Sequence, residues 1–193
     1  SAHVGRYAPQ QTDLSVLVKD FAETSKKPSD PENFDFDAIL LPLGSEGLRT
    51  LATVLDVNGI RQPKVKFLGT GLWDDLKLTD DPLLFGGWFS APDPTLRADF
   101  EKRYNENYGA PPLRLASLAY DATALAAVLS SAPGVTAPYT HEAMTNPRGF
   151  AGIDGIFRFR SNGLSERSLA ILQVESGKMK VVDPAPTTFI SGS

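Results

Sequence analysis

Apolar positions along the chain switch between helical and strand-like spacing. From Thr12 to Thr24, Leu14, Leu17, Val18 and Phe21 recur at helical intervals, and Thr12 or Asp13 can accept the first free backbone N–H groups. Val4 to Tyr7 before this helix suits a short strand, and Lys26 to Phe34 after it is rich in Pro, Ser, Asp and Asn, as a surface loop is. Asp37 to Pro42 is a short continuous apolar run of the kind covered on both faces in a parallel sheet. Ser45 is placed to cap a helix with Leu48, Leu51, Ala52 and Leu55 as its inner stripe and Gly59 as its stop. Val65 to Leu68 and Leu83 to Phe89 read as further strands. Strand, helix, strand is a βαβ crossover, so an α/β fold with a parallel sheet flanked by helices is predicted.

Beyond Ala91-Pro92-Asp93-Pro94-Thr95 the spacing turns helical again. Asp93 can cap, Pro94 suits the first helical position, and Leu96, Phe100, Tyr104 and Tyr108 share a face up to Gly109. Leu113 to Leu129 is apolar nearly all round apart from a polar stripe of Arg114, Ser117 and Asp121, which predicts a helix buried on most sides. Thr140 to Asn146 reads as a short capped helix. Gly155 to Arg160, Ser168 to Val174 and Lys178 to Val182, separated by Ser161-Asn162-Gly163 and Ser176-Gly177, predict C-terminal β-hairpins, and Asp183 to Pro186 leaves the fold.

Composition adds exclusions. The 193 residues are 41% hydrophobic and 22% charged, an ordinary globular balance, and 16 Gly with 15 Pro imply short, punctuated elements. A net charge of −4 argues against nucleic acid or an anionic membrane surface as partner. No apolar run reaches the roughly 18–20 residues of a membrane span, and Ser1 to Tyr7 lacks the features of a signal peptide. With no Cys, disulfides, thiolate nucleophiles and zinc-thiolate sites are excluded.

The search for chemistry is nearly empty. His3 and His141 have no metal-spaced partner, and Asp74-Asp75 and Asp80-Asp81 lack the pattern of a calcium loop, so solvated turn positions are expected. Gly69-Thr70-Gly71 follows a strand, but the third glycine of a dinucleotide fingerprint would fall at Asp74. Leu43 to Gly47 is not a nucleophile elbow, because its glycines stand one residue too close. No nucleophile, base and orienting group combine, so no enzyme activity, metal or cofactor is expected. Three Gly-rich loops stand out at the expected carboxyl ends of strands: Pro42–Ser45, Gly69–Trp73 and Phe85–Phe89. Ligands of open α/β sheets bind at that edge, which makes Leu43, Gly44, Ser45, Thr70, Gly71, Trp73 and Trp88 candidate ligand-binding residues. The two Trp are equally well explained as cover for the core.

Three blocks carry a resemblance. Asp35 to Leu48 with Gly69 to Trp73, Phe100 to Pro112 with Ala119 to Leu125, and Gly152 to Gly163 are similar, in that order, to the C-terminal half of type I periplasmic solute-binding proteins of the leucine/isoleucine/valine-binding kind. The resemblance implies a periplasmic, non-enzymatic component of an ABC transporter that closes on a small molecule and meets a membrane permease. It further implies a second-lobe α/β segment over 1–91, helices and a strand of the first lobe over 92–164, strands returning to the second lobe over 165–183 and a tail over 184–193. A complete member is about twice as long. Amino-acid-binding members carry an aromatic residue and an ammonium-neutralising acid where this chain has Leu43-Gly44 and Gly71, which disfavours an amino acid as ligand. Gly69 to Asp75 and Gly149 to Gly155 also resemble outer-membrane lipoproteins that activate a penicillin-binding protein. That alternative implies a cell-wall interaction module, lipid-anchored through a region outside these residues.

Overall fold

The computed structural model describes residues 3–6, 13–131 and 137–189. The chain divides into two compact units, 1–91 with 171–182 and 92–170 with 183–193.

Unit 1 starts with helix α1 (Ser15–Thr24), which buries Val18 and Ala22. Asp13 accepts the Ser15 N–H at 2.9 Å, and that bond holds the Asp13 carboxyl below the usual carboxylate range. Thr12 and Tyr7 lie outside the described residues, and residues 3–6 form no regular strand. The segment read as a loop is instead a small hairpin, β1 (Lys26–Lys27) with β2 (Asp30–Phe34). Its polar turn hid it, because Asp30 uses its own carboxylate to accept the Glu32 N–H, and Phe34 is the single buried residue.

The sheet of unit 1 runs in the order Lys178–Asp183 (β10), Ala170–Glu175 (β9), Trp88–Ala91 (β5), Lys66–Gly69 (β4), Ala38–Leu40 (β3). Strands β3 (Ala38–Leu40), β4 (Lys66–Gly69) and β5 (Trp88–Ala91) are parallel, with Ala38, Ile39 and Leu40 opposite Lys66, Phe67 and Leu68, and Leu68 and Gly69 opposite Trp88 and Phe89. Helix α2 (Ser45–Val57) makes the β3-to-β4 crossover, burying the expected stripe of Leu48, Leu51, Ala52 and Leu55. Gly59, at φ +81°, ends it. The expected strand from Leu83 is shorter. Pro82 opens a 3-10 turn to Leu84 in which the Leu83 N–H donates to the Asp81 carboxylate, and the strand starts only at Trp88. The hairpin β9 (Ala170–Glu175) and β10 (Lys178–Asp183) completes the sheet, with Gly86 N–H donating to Val174 O at 2.9 Å and Val174 N–H to Gly87 O at 3.0 Å. Phe67, Phe89, Leu172, Val174, Leu48, Leu55, Leu78 and Leu84 form its buried apolar core.

Unit 2 holds helices α3 (Pro94–Tyr108), α4 (Ala116–Ser130) and α5 (His141–Met144), and a separate antiparallel sheet of β6 (Phe150–Gly152), β7 (Gly155–Phe159) and β8 (Ser165–Arg167). Asp93 caps α3 by accepting the Thr95 N–H at 2.9 Å, with Pro94 at the first helical position and Gly109 in the left-handed region as the stop. Asp93→Ala is expected to cost about 1 kcal/mol, read as a lower denaturation midpoint; no change would mean that solvent serves the N–H equally well.

Helix α4 inverts its expectation. Its polar stripe faces inward, with Ser117 and Asp121 buried, while Leu118, Tyr120 and Val128 are exposed. The polar side chains find partners brought from far along the chain. Asp154, fully buried, accepts from the Ser117 hydroxyl at 2.6 Å and from Arg114 at 3.1 Å, and Asp121 accepts from the Ile153 N–H at 2.7 Å and from Arg167 at 3.2 Å. Buried charges paired in this way are tolerated. Spacing on one helix could not reveal partners from residues 153–167.

Candidate functional site at the carboxyl edge of the unit 1 sheet

The loop after β3 and the loop after β4 meet. Leu41-Pro42-Leu43-Gly44 leads from β3 to α2, and Gly44, not Ser45, is the N-cap residue; no side chain caps this helix. Ser45 is the first helical residue, at φ +47°, and its hydroxyl reaches across to the Asp75 carboxylate at 3.1 Å. The same carboxylate accepts the Lys77 N–H at 3.0 Å, so Asp75 is fixed as a turn cap. Gly44 lies against the other loop so closely that a Cβ would stand 2.9 Å from Leu72 O. Backbone contact of this kind requires glycine.

In the second loop Thr70 caps the 3-10 turn Gly71–Trp73 by accepting the Leu72 N–H at 3.4 Å. A Cβ at Gly71 would lie 3.7 Å from Ser90 O, which brings the carboxyl end of β5 to the same place. Leu43 and Gly44 are half-buried, and Ser45, Gly71 and Leu72 are exposed. The edge thus offers exposed backbone groups, the Ser45 hydroxyl and the apolar Leu43 and Leu72. No side chain stands at position 71 to carry a charge.

The two tryptophans take other places. Trp73 is fully buried: its indole N–H donates to Leu41 O at 3.1 Å, and the ring lies between Gly69 and Gly87, where a Cβ at Gly87 would stand 2.7 Å from Cζ3. Trp88 opens β5, so the Phe85–Gly87 loop precedes that strand instead of following one. Its ring covers the Lys66 ammonium at 4.3 Å and its N–H donates to Gln173 at 2.9 Å. The structure therefore brings together Leu43, Gly44, Ser45, Thr70 and Gly71 and leaves Trp88 elsewhere. Sequence reasoning missed Leu72, Asp75 and Ser90. Ser45 and Asp75 are both polar residues next to helix starts, but their pairing across 30 positions has no local signal.

Of the other candidates, His3 pairs with Asp35 at 2.9 Å and the His141 ring meets Ser161 O at 3.5 Å. Asp81, like Asp75, caps a turn. Among the described residues no group of three His, Cys, Asp or Glu side chains could hold a metal ion, and no helix is long and apolar enough to cross a membrane.

No protein-family model and no curated protein matches the sequence. Solved structures do. A putative branched-chain amino acid ABC transporter protein from Rhodospirillum rubrum superposes with a TM-score of 0.70 at 23% identity, over 90% of this chain and 49% of its own. The leucine binding protein LivK from Thermotoga maritima gives 0.60 at 18% identity over 96% and 51%, and an ABC transporter solute-binding protein from R. palustris, solved with benzoate, gives 0.60 at 17% over 93% and 49%. The chain spans about half the length of each of these structures. Such likeness at these identities concerns the fold alone, and on it the chain has the α/β fold of about half of each of these binding and transporter proteins.

Proposed function

We propose that the chain is part of a periplasmic solute-binding protein of an ABC importer and that the carboxyl edge of its unit 1 sheet contacts a small organic solute lacking an ammonium group. The observation that carries this reading is the fold match over 90% of the chain, joined to the chemistry of the edge. Leu43 and Leu72 supply apolar contact, the backbone at Gly44 and Gly71 and the Ser45 hydroxyl supply hydrogen bonds, and Thr70 fixes the second loop. Trp73 acts from below as the support of that loop, and Trp88 takes no part. Glycine at position 71 gives a ligand ammonium no carboxylate there, and an unpaired buried ammonium is costly. The benzoate held by the R. palustris protein shows that this fold accepts a carboxylate without an amine. In this reading unit 2 belongs to a first lobe and residues 171–182 return to the second, a boundary past β8 and later than the 164/165 break read from the sequence; the partner is a membrane permease, and the protein uses no catalysis. The solved structures named above are binding or transporter proteins, which disfavours the cell-wall regulator.

A thermal-shift series with leucine, isoleucine, benzoate and an aliphatic carboxylate, run on the complete polypeptide that contains this chain, tests the reading. A bound solute at a hundred times its dissociation constant adds about 2.7 kcal/mol, or roughly 3 °C in melting temperature for a polypeptide of about twice this length. A carboxylate is expected to give this shift and leucine none. A shift with leucine alone removes the ammonium argument, and no shift with any solute, in a screen widened to nucleosides and sugars, removes the solute-binding reading.

A further inference from the structure

Among the described residues Ser45 is the single non-glycine residue with a positive φ, at +47°. A side chain makes that conformation unfavourable, and it persists where the surroundings hold it. The holder here is Asp75, whose two oxygens take one protein donor each. Oδ1 accepts the Lys77 N–H at 3.0 Å, which caps the 3-10 turn Leu76–Asp80. Oδ2 accepts the Ser45 hydroxyl at 3.1 Å, which ties the start of α2 to the loop after β4.

The second bond fixes a direction at the carboxyl edge. An ionised carboxylate has no proton to give, so the hydroxyl is the donor of the pair. A serine hydroxyl has one proton and two lone pairs. With that proton committed to Asp75, the exposed Ser45 Oγ offers a solute lone pairs only. A carboxylate oxygen placed against it would set lone pair against lone pair. A solute O–H would instead complete a chain from solute to Ser45 to Asp75, in which each hydrogen bond polarises the next. An ammonium is a poorer match, because Asp75 already holds a protein donor on each oxygen and Gly71 supplies no carboxylate.

We infer that the solute presents a hydroxyl group to Ser45, so that the class taken at this edge is a hydroxylated carboxylate with its acid group turned away from Ser45. Asp75 is a positioning residue: it does not touch the solute, but it decides that Ser45 accepts and does not donate. The inference rests on the solute-binding reading and adds to it which functional group meets which atom.

Isothermal titration calorimetry on the complete polypeptide that contains this chain tests it, with benzoate, butyrate, their monohydroxy forms and the aminobutyrates. At least one hydroxy acid is expected to bind about tenfold or more tightly than its unsubstituted parent. Ser45→Gly removes the hydroxyl and suits the positive φ, and it is expected to bring that ratio of affinities to within about threefold of one. Asp75→Asn keeps an oxygen for the Lys77 N–H and turns an amide N–H2 to Ser45, which frees the serine proton for the solute. The ratio is expected to fall in the same way. A merely structural loss would weaken parent and hydroxy acid together and leave the ratio unchanged, so a ratio that survives in either variant overturns the inference. Equal binding of parent and hydroxy acids by the unaltered polypeptide also overturns it and leaves the solute-binding reading standing. Tighter binding of an aminobutyrate than of its hydroxy counterpart overturns it in favour of an ammonium, and binding of none of the acids removes the carboxylate reading and this inference together.

Discussion

Trp73→Ala is expected to destabilise unit 1 by about 3–5 kcal/mol and to release the loop that carries Thr70 and Gly71. The indole is fully buried, rests near the Phe89 ring with centroids 6.2 Å apart, and fills the space that Gly69 and Gly87 leave by having no side chain. Two of the walls are glycines, which have no side chain to swing into the hole, so much of the cavity term is retained. The Leu41 carbonyl would lose its donor as well. Trp73→Phe separates the two contributions: it keeps an aromatic ring and loses the N–H, and about 1–3 kcal/mol is expected. Urea unfolding with exchange at the Leu41–Asp75 amides as a local readout measures both. A loss below about 1 kcal/mol for the alanine variant would mean that the loop holds its place without the indole. The reverse variant, Gly69→Ala, would push a methyl into the ring and should also destabilise, whereas substitution at Gly163, where nothing lies within 4 Å, should be limited to the strain of its positive φ.

The parts of the fold legible in the sequence were those governed by local periodicity. The inner stripe of α2, the Asp93–Pro94 start of α3 and the Gly109 stop each follow from side chains within a few residues of one another, and all appear as expected. The parallel order of β3, β4 and β5 followed from the crossover rule. What was not legible depends on distant partners or on backbone detail. The β1–β2 hairpin is polar and nearly unburied, so no apolar alternation announced it. Trp88 was placed at the wrong end of its strand because Leu83, Leu84 and Phe85 continue an apolar run that Pro82 and the Asp81 cap divert into a turn. For Trp73 the sequence leaves both readings open, because a tryptophan beside glycines fits either an open site or a tight support, and only the distance from Gly69 and Gly87 to the ring separates the two. Of the candidate site, the glycines and Ser45 were visible as loop chemistry, while Ser45 meeting Asp75, and Gly71 meeting Ser90, needed the sheet to bring the loops together.

Asp121→Ala is expected to cost unit 2 about 3–5 kcal/mol. Asp121 is 4% exposed and divides its oxygens between the Ile153 N–H and the Arg167 guanidinium, and Gly152 approaches so closely that any larger residue would strike the carboxylate. Removing the carboxylate leaves two donors with no acceptor, one of them a cation whose side chain is 20% exposed and lies over the Phe157 ring at 4.9 Å. The turn that joins β6 to β7 would lose one of its two ties to α4 and keep the other, the bond from the Ser117 hydroxyl to Asp154, with Arg114 beside it. Asp121→Asn keeps an oxygen for Ile153 but turns an amide N–H2 toward the donors of Arg167, so a smaller loss than for alanine is expected, not recovery. Arg167→Ala leaves the carboxylate buried without its cation, and because each single change exposes the other partner, the double variant Asp121→Ala with Arg167→Ala should lose clearly less than the sum of the two. Denaturant unfolding of the four proteins closes that cycle. Additive losses would show that the two side chains contribute separately, Asp121 through the Ile153 N–H alone, and the ion pair would then have no part in fixing α4 to its sheet.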